Sequence, residues 1–486
     1  MAPKVLIVGT GFGGLALALE LKRAGYQDFV LLEQADEVGG VWRDNTYPGA
    51  GCDIPSPYYS YSFAPNRSWP ARFARQRDIL AYIRRIVDEY DLRRHIHFGV
   101  EVTAAAFDER RAVWQIDTED GDLYEADVFV PAVGQLSRPS IPAIPGRDRF
   151  GGKAFHSARW NHGIDLSGKR VAVIGTGASA IQFVPEIAPK ALQLTVFQRS
   201  APWVTNRPDA RYGVLHRLLA PALQRVERFG WWAFFEYSTL GLLGNQAVVR
   251  SLVGLPKWQL RRQVPDPVLR AKLTPTDSPG CRRALFSDDW YPALGRANVH
   301  VETERITEFT RSGIRTADGV EHRFDVVIYA TGFAAQDFLG PIEVTGSGGA
   351  DLREFWAEGA RAYLGLAVPD FPNMFLMYGP NTNLGAGSII FMHECQARYI
   401  RGVVEHLGAH PGTALAVRPA AEQRYDAEIQ RRLAKSVWIT CDSWYRAASG
   451  RVSTNWPGLV SEYRRRTRRV DLADYRTVTA TSSEKA

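Results

Sequence analysis

The chain has few cysteines, and their spacing fits no metal site. Cysteine occupies four of the 486 positions, and no two of them form a CxxC pair: 52, 281, 395 and 441. Such wide spacing argues against a zinc site and against a disulfide framework. We therefore expect reduced thiols, no bound metal and a cytoplasmic location.

The chain also lacks a long uninterrupted apolar run. The nearest candidate, residues 229–255, is broken by Glu236, Asn245 and Arg250, which favours a buried or interface-lying helical pair over a transmembrane helix. Peripheral membrane contact stays open as a lesser alternative, through four aromatic residues of this stretch: Trp231, Trp232, Phe234 and Phe235. The first predicted strand begins within five residues of the N-terminus, which leaves no room for a signal peptide.

A strong charge excess is missing as well. The formal net charge of +7 is modest for this length, and 45% hydrophobic with 23% charged residues is typical of a folded globular protein. The excess suits anionic cofactors, and the basic run at 464–469 is predicted to be a solvated helix face or tail, so we expect no nucleic-acid partner. The length predicts two or three domains. We expect a monomer or a weak homodimer.

Two glycine-rich turns are the most informative feature of the chain. They are Gly9-Thr10-Gly11-Phe12-Gly13-Gly14 and Gly175-Thr176-Gly177-Ala178-Ser179-Ala180. Each follows an apolar run that is typical of a buried strand, and each precedes a helical pattern. In a dinucleotide-binding turn the first glycine permits the tight turn, the second lets the backbone approach a pyrophosphate, and the third allows close helix packing. We assign these roles to Gly9, Gly11, Gly14, Gly175, Gly177 and Ala180.

A charged residue downstream of each turn predicts which dinucleotide it binds. Glu33 follows Gly11 at the same interval at which Arg199 follows Gly177. An acidic residue at this place accepts hydrogen bonds from a ribose hydroxyl, whereas arginine suits a 2′-phosphate. The first turn is therefore predicted to bind FAD and the second to bind NADPH rather than NADH.

These features predict an α/β fold with two Rossmann-like dinucleotide-binding domains, for FAD and NADPH, and a helical insertion. The FAD-binding domain is expected at 1–145 and 326–470, and the NADP-binding domain at 146–208 and 281–325. Residues 209–280 are the expected helical insertion, and 471–486 the expected disordered tail.

The segment between the turns carries a further motif. Residues 150–160 read Phe-Gly-Gly-Lys-Ala-Phe-His-Ser-Ala-Arg-Trp, which fits the pattern FxGxxxHxxxW. In this motif, and in nearly all of its length, the chain resembles the type I Baeyer-Villiger monooxygenases, which are class B flavoprotein monooxygenases. Asn161 and Ala180 depart from the family pattern, and Trp160 favours this family over related enzymes that oxidise nitrogen or sulfur. Further matching segments are Tyr47-Pro48-Gly49, Cys52-Asp53, Ala330-Thr331-Gly332-Phe333 and Gly379-Pro380-Asn381.

The resemblance implies a reaction and two catalytic residues. NADPH would reduce FAD, dioxygen would add to the flavin, and the C4a-peroxyflavin would attack a ketone to give an ester or lactone. Arg283, in Gly280-Cys281-Arg282-Arg283, falls on the family's catalytic arginine, and Asp53 falls on the aspartate that pairs with it. A surface ion pair for Arg283 and a turn-capping role for Asp53 stay open as structural alternatives.

The remaining predicted residues concern cofactor binding and domain geometry. Arg282 would join Arg199 and Ser200 around the 2′-phosphate, although it could equally make only a surface ion pair. His156 is expected to set interdomain geometry rather than to act as a base. Trp444 and Trp456 are expected to line the pocket or simply to pack in the core. Other predicted cofactor contacts are Gly40, Trp42, Asp53, Gln182 and Asn381.

Three other functions are alternatives to the ketone monooxygenase. Oxygenation of a sulfide or amine needs the same cofactors and is separated from it by product identity. A flavin-dependent disulfide reductase needs a redox cysteine pair near the flavin, and Cys52 has no near partner in the sequence. A non-catalytic nucleotide-binding protein would have no need for Arg283 or Asp53.

Overall fold

The first layer of the fold is a parallel sheet built from apolar strands. The computed structural model describes residues 2–214, 216, 219–441, 443–447 and 449–480. The strands lie in the order β3-β2-β1-β7, so β1 is flanked on both sides, and the side chains of β1, β2 and β7 are buried along their whole length. Their bounds are Val5–Val8 for β1, Phe29–Glu33 for β2, Ile96–Phe98 for β3 and Val128–Pro131 for β7.

Helices cover this sheet and begin at its carboxyl edge. Helix α1, Phe12–Arg23, follows β1 directly through the first glycine turn and packs along α10, Ile389–Ala409. The amphipathic α3, Gln76–Glu89, buries one face, with Ile79, Ile83 and Ile86 at helical spacing. The short α2, Val41–Asp44, connects α1 and β2 to the loop at 45–70. The turn, the strand end and the loop therefore share one edge of the sheet.

A second parallel sheet repeats this arrangement around the second glycine turn. Its strand order is β13-β10-β9-β17-β8, with all neighbours parallel. The bounds are Lys153–His156 for β8, Arg170–Ile174 for β9, Gln193–Phe197 for β10, Val299–Glu302 for β13 and Val326–Tyr329 for β17. Two helices pack against each other on this sheet, α4 at Ala178–Ile187 and α8 at Trp290–Leu294.

The fold also contains smaller sheets besides the two parallel sheets. One has the order β18-β4-β5-β6 and packs around the fully buried Trp114. Its strands are β4 at Val102–Asp108, β5 at Val113–Thr118, β6 at Leu123–Ala126 and β18 at Glu343–Thr345, and α9 at Leu352–Phe355 follows. An antiparallel meander consists of β14 at Ile306–Phe309, β15 at Gly313–Thr316 and β16 at Glu321–Arg323.

The predicted helical insertion is a hairpin of two long helices. Helix α5 spans Ala220–Leu242 and α6 spans Gln246–Gln263, with the Asn245 side chain capping α6 and the short α7, Pro267–Lys272, following. The strands β11 at Val204–Thr205 and β12 at Leu285–Phe286 pair at its base. Within the described ranges no helix is long and apolar enough to cross a membrane. The expected α/β fold with two dinucleotide units and a helical insertion is confirmed.

The C-terminal part returns to the first sheet and extends further than predicted. It contains β19 at Thr413–Val417, α11 at Pro419–Leu433, α12 at Val460–Arg466 and β20 at Tyr475–Thr479. Because β20 pairs antiparallel with β19 and buries Tyr475, the expectation of a disordered tail from 471 is wrong as far as residue 480. Residues 481–486 lie outside the described part. Short 3-10 helices occupy 93–95, 147–149, 157–159, 347–349, 437–439 and 472–474.

The strand β20 is expected to stabilise the fold through one side chain. Tyr475 is 3% exposed, and its hydroxyl is 2.9 Å from the hydroxyl of Tyr399 on α10. Replacing it, Tyr475→Ala, should lower the free energy of unfolding by about 3–5 kcal/mol because a large buried side chain is lost. Thermal or urea unfolding measures the change. Thr477→Ala, an exposed position two residues along the same strand, is the control and should unfold as the wild type does.

Candidate functional site

The first glycine turn has the shape that a dinucleotide pyrophosphate requires. Gly9 has φ +101°, and a Cβ built on Gly14 would lie 2.0 Å from the carbonyl oxygen of Gly9. No residue with a side chain fits Gly14 without moving this backbone. Gly11 is the N-cap residue of α1. Because it has no side chain, a ligand can approach the free N–H groups of the first helical turn. This turn can therefore hold an anion against the helix N-terminus.

Glu33 lies beside this turn at the end of β2. It is 4% exposed, and its Oε2 accepts hydrogen bonds from the backbone N–H of Thr10 at 3.0 Å and from the Thr10 hydroxyl at 2.6 Å. Its Oε1 accepts from Nη1 of Arg43 at 3.0 Å. The carboxylate is thereby held at the strand end, where a ribose hydroxyl of a dinucleotide in this turn would lie.

The segment before the long loop closes over the same turn. Gly40 has φ +52°, and a Cβ built on it would lie 3.2 Å from Cα of Gly11. Trp42, two residues on, is half-buried and donates its indole N–H to the hydroxyl of Tyr59 at 3.1 Å. Gly40 and Trp42 thus flank the predicted FAD site, and their direct contacts with FAD stay predictions.

The second glycine turn fits a phosphate in the same way. Gly175 has φ +108°, and a Cβ built on it would lie 2.4 Å from the carbonyl oxygen of Ala330, while Gly177 is the N-cap residue of α4. Ala180 is fully buried in the core of this unit, which accommodates the extra methyl group. The exposed Arg199 and its neighbour Ser200 follow β10, and the hydroxyl of Thr176 donates to the Ser200 carbonyl at 3.2 Å. These residues therefore border the turn.

Two residues that were predicted to contact the cofactors form hydrogen bonds within the protein. The Gln182 side chain accepts from the Tyr47 hydroxyl at 3.0 Å, and its amide N–H donates to the Gly51 carbonyl at 3.0 Å. Gln182 therefore connects the second unit to the loop of the first. The Asn381 amide donates to the carbonyls of Val452 at 2.9 Å and Asn455 at 3.1 Å. Their contacts with cofactors stay predictions.

An ion pair lies where the two dinucleotide units meet. Nη2 of Arg283, which precedes β12, is 2.6 Å from Oδ1 of Asp53 in the loop of the first unit. Burial, the largest single effect, disfavours the Arg283 cation. Asp53, Tyr445, Cys52 and Tyr378 together outweigh it, so the pKa of Arg283 is raised. The Arg283 side chain keeps 36% of its surface exposed, so part of a permanent cation remains accessible at the junction.

Sequence reasoning missed the polar groups around Arg283. The hydroxyls of Tyr378 and Tyr445 are buried, and burial raises the pKa of both, that of Tyr445 to about 12. Each is therefore a neutral hydroxyl near pH 7. Tyr378 donates to Oδ1 of Asn383 at 2.6 Å, and Asn383 donates to Oδ1 of Asn455 at 2.7 Å. The Gly379-Pro380-Asn381 motif next to Tyr378 was the available signal in the sequence.

The expectation of four reduced thiols is wrong. Cys281 and Cys441 form a disulfide with their Cα atoms 6.1 Å apart, although 160 positions separate them in the chain. Spacing could not reveal this pair because the fold, not the sequence, brings the two segments together. Cys52 and Cys395 are buried free thiols, and burial raises the pKa of both. The disulfide thus ties the segment of Arg283 to the segment between the 3-10 helix at 437–439 and α12, which we call the C-terminal loop.

The other predicted residues lie near the ion pair of Arg283 and Asp53 or in the core. Nη1 of Arg282 is 3.2 Å from Oδ2 of Asp277. His156 is buried at the end of β8 against the ring of Phe333, and burial lowers its pKa, which favours a neutral ring. Trp456 is buried, whereas Trp444 is exposed in the C-terminal loop, next to position 442, which lies outside the described residues.

Comparison with known proteins places this geometry in a family. Residues 6–228 match the family model described as pyridine nucleotide-disulphide oxidoreductase. A protein of Streptomyces coelicolor named Baeyer-Villiger monooxygenase is 45% identical over 479 residues, which cover 97% of this chain and 92% of that protein. Similarity of this extent spans nearly the whole chain.

Solved structures agree along the whole chain. An oxidised steroid monooxygenase bound to NADP superposes with a TM-score of 0.88 at 31% identity and covers 99% of this chain and 100% of its own. The structure of OTEMO in complex with FAD and NADP superposes with a TM-score of 0.87 at 29% identity, covering 98% and 100%. The two dinucleotide units of this chain therefore have counterparts in structures that contain these cofactors.

The disulfide is expected to stabilise the folded protein because it restricts the conformations of the unfolded chain. Linking residues 160 positions apart removes loop entropy from the unfolded state, which corresponds to at most about 5 kcal/mol. The double variant Cys281→Ser with Cys441→Ser should therefore have a lower Tm than the wild type, measured by thermal unfolding. Dithiothreitol should lower the Tm of the wild type and leave that of the double variant unchanged. Equal Tm values for oxidised and reduced wild type would contradict the pairing.

Proposed function

The chain belongs to the Baeyer-Villiger monooxygenases, and we propose that it inserts one atom of O2 next to a ketone carbonyl to give an ester or a lactone. It is an NADPH-dependent flavin monooxygenase. The observation that carries the proposal is the 2.6 Å ion pair of Arg283 and Asp53, with part of the arginine accessible, at the junction of the two dinucleotide units. Oxygen transfer would follow the flavin route that the family resemblance implies.

The two cofactors fit the residues of the two turns. FAD would bind along Gly9, Gly11 and Gly14, with Glu33 on its ribose, since the missing side chains leave room for a pyrophosphate there. NADPH would bind in the same manner along Gly175, Gly177 and Ala180. When bound, NADPH supplies a hydride and FAD supplies a ring that accepts it and activates dioxygen.

Arg283 would act on the negative charge that develops on oxygen. Attack on a ketone carbonyl leaves negative charge on the carbonyl oxygen, and a preorganised cation stabilises that charge more strongly than water does. Asp53 would orient the guanidinium through the bond to Nη2 and leave the other nitrogens to the reacting oxygen atoms. The neutral hydroxyls of Tyr378 and Tyr445 would complete a polar wall without adding a competing negative charge.

The specificity for NADPH would come from cations around the second turn. Arg199 and Ser200 border the turn, and the guanidinium of Arg199 matches the geometry of a phosphate. Arg282 would help to hold the 2′-phosphate, with the phosphate competing with Asp277 for its guanidinium. By the family resemblance, Arg282 falls on a position where the family has a lysine. Arginine there keeps the charge and adds a second donor direction.

Loss of the active-site cation is expected to abolish oxygenation and to spare cofactor binding. Arg283→Ala should lower kcat for product formation by about 100-fold or more because a preorganised charge is lost. Gas chromatography of a panel of ketones and sulfides measures the products, and the flavin absorbance of the purified protein measures FAD content. Arg77→Ala, an exposed arginine of α3, is the matched control and should act as the wild type does.

Three outcomes of this experiment discriminate between the candidate functions. An Arg283→Ala variant with full activity would contradict the catalytic assignment. Sulfoxide or N-oxide formation by the wild type, with no ester or lactone from any ketone, would favour the alternative of heteroatom oxygenation. Loss of FAD from the variant would show that Arg283 stabilises the structure of the junction rather than the reaction.

Removal of Arg199 is expected to weaken the binding of NADPH and to leave the binding of NADH unchanged. A charge-assisted hydrogen bond contributes about 1.5–3 kcal/mol, so Arg199→Ala should raise the KM for NADPH by roughly tenfold to a hundredfold. The KM for NADH should stay the same because NADH has no 2′-phosphate. Steady-state oxidation of NADPH or NADH, followed by the absorbance of the reduced nicotinamide, measures both constants. An equal rise in the two KM values would contradict the assignment.

A further inference from the structure

The outward face of the α5–α6 hairpin carries large apolar side chains. Val226 is 71% exposed, Phe229 is 65% exposed, and Trp258 on α6 is 50% exposed. A hydrogen bond of 2.9 Å between the Tyr237 and Ser251 hydroxyls joins the two helices side by side. We call this surface the hairpin face, and its exposed apolar members are Leu223, Val226, Phe229, Phe234, Tyr237, Leu240, Leu255 and Trp258. Exposed apolar surface of this extent is typical of an interaction site.

The opposite side of the hairpin is fixed to the body of the enzyme. Phe235 of α5 is buried, and its ring stacks on the ring of Tyr58 with 5.9 Å between centroids. Nη1 of Arg228 donates to the carbonyls of Pro57 and Ser60, each at 2.8 Å. The hairpin therefore has a defined orientation on the loop at 45–70, and the hairpin face points away from the core.

The charges of the hairpin are sorted between its two sides. Both of its acidic residues face inward: Glu227 accepts from Arg72 at 2.6 Å, and Glu236 accepts from the backbone N–H of Ser461 at 2.9 Å. The exposed charged residues within 220–263, a range that is described throughout, are all basic: Arg225, Arg250, Lys257, Arg261 and Arg262. The hairpin face thus combines apolar side chains with positive charge.

We propose that the hairpin face docks on the surface of an anionic lipid bilayer. Helices that lie in a membrane interface combine Trp, Phe and Leu with Lys and Arg, and basic residues strengthen binding to anionic headgroups. Phe229 and Trp258 insert into the headgroup region, and Arg250, Lys257 and Arg261 contact lipid phosphates. Docking of a second copy through the same face is disfavoured because it would bring two sets of positive charges together.

The experiment measures vesicle binding by the full-length holoenzyme. The protein is sedimented with vesicles of phosphatidylcholine alone and with vesicles of equal parts phosphatidylcholine and phosphatidylglycerol. We expect binding to the anionic vesicles at least about tenfold stronger than to the neutral ones, and weaker binding at high salt. Phe229→Ser with Trp258→Ser should abolish binding. Arg250→Gln with Arg261→Gln should weaken it by about tenfold or more.

Exposed apolar residues elsewhere on the protein provide the matched control. Leu123→Ser with Leu192→Ser removes two exposed leucines outside the hairpin and should leave vesicle binding unchanged. Unchanged FAD content shows that each variant is folded. No binding of the wild type, equal binding to both vesicle types, or full binding of the Phe229 and Trp258 variant would overturn the proposal.

Two further outcomes identify a different occupant of the hairpin face. A wild-type dimer in sedimentation velocity that becomes a monomer on Phe229→Ser with Trp258→Ser would overturn the proposal in favour of a second copy. Binding to polyglutamate without binding to anionic vesicles would overturn it in favour of an acidic polypeptide. None of these readouts depends on the oxygenation reaction, so their result is independent of the function proposed above.

Discussion

The ion pair of Arg283 and Asp53 is the contact on which the site depends. The two residues are 230 positions apart in the chain. Arg283 lies just before β12, and Asp53 lies in the loop at 45–70 of the first dinucleotide unit. Removing one member of such a pair leaves the other as an uncompensated charge in a partly buried place, which is costly. The bonds of Gln182 to Tyr47 and Gly51 support the same junction. The contact between the two dinucleotide units and the position of the cation are therefore set together.

The parts of the fold that the sequence predicted are those that depend on local rules. A glycine turn is recognised within a few residues because only glycine tolerates φ +101° at Gly9 or the close backbone contact at Gly14. Glu33 and Arg199 follow from the fixed length of a strand-helix-strand unit. The assignment of Asp53 and Arg283 came from the family resemblance, and their contact could not be inferred from spacing.

The features that the sequence did not reveal all depend on distant contacts. The disulfide of Cys281 and Cys441 and the pairing of β20 with β19 form only after the chain has returned to the first sheet. Tyr378 reads as an ordinary core tyrosine until Asn383 and Asn455 are seen to form its hydrogen-bond chain. In each case the residue type and the local sequence pattern do not indicate the contact, and only the tertiary structure shows which residue is the partner.

The C-terminal loop is bound to the segment of Arg283 and to the first dinucleotide unit by contacts of different kinds. The disulfide attaches Cys441 to the segment of Arg283, and Asn381 attaches the loop at Val452 and Asn455 to the first unit. Tyr445 lies between these attachments and interacts with Arg283. Movement of the loop would have to break hydrogen bonds on one side or strain the covalent link on the other. Within the described residues, the loop is therefore fixed near Arg283 on both sides.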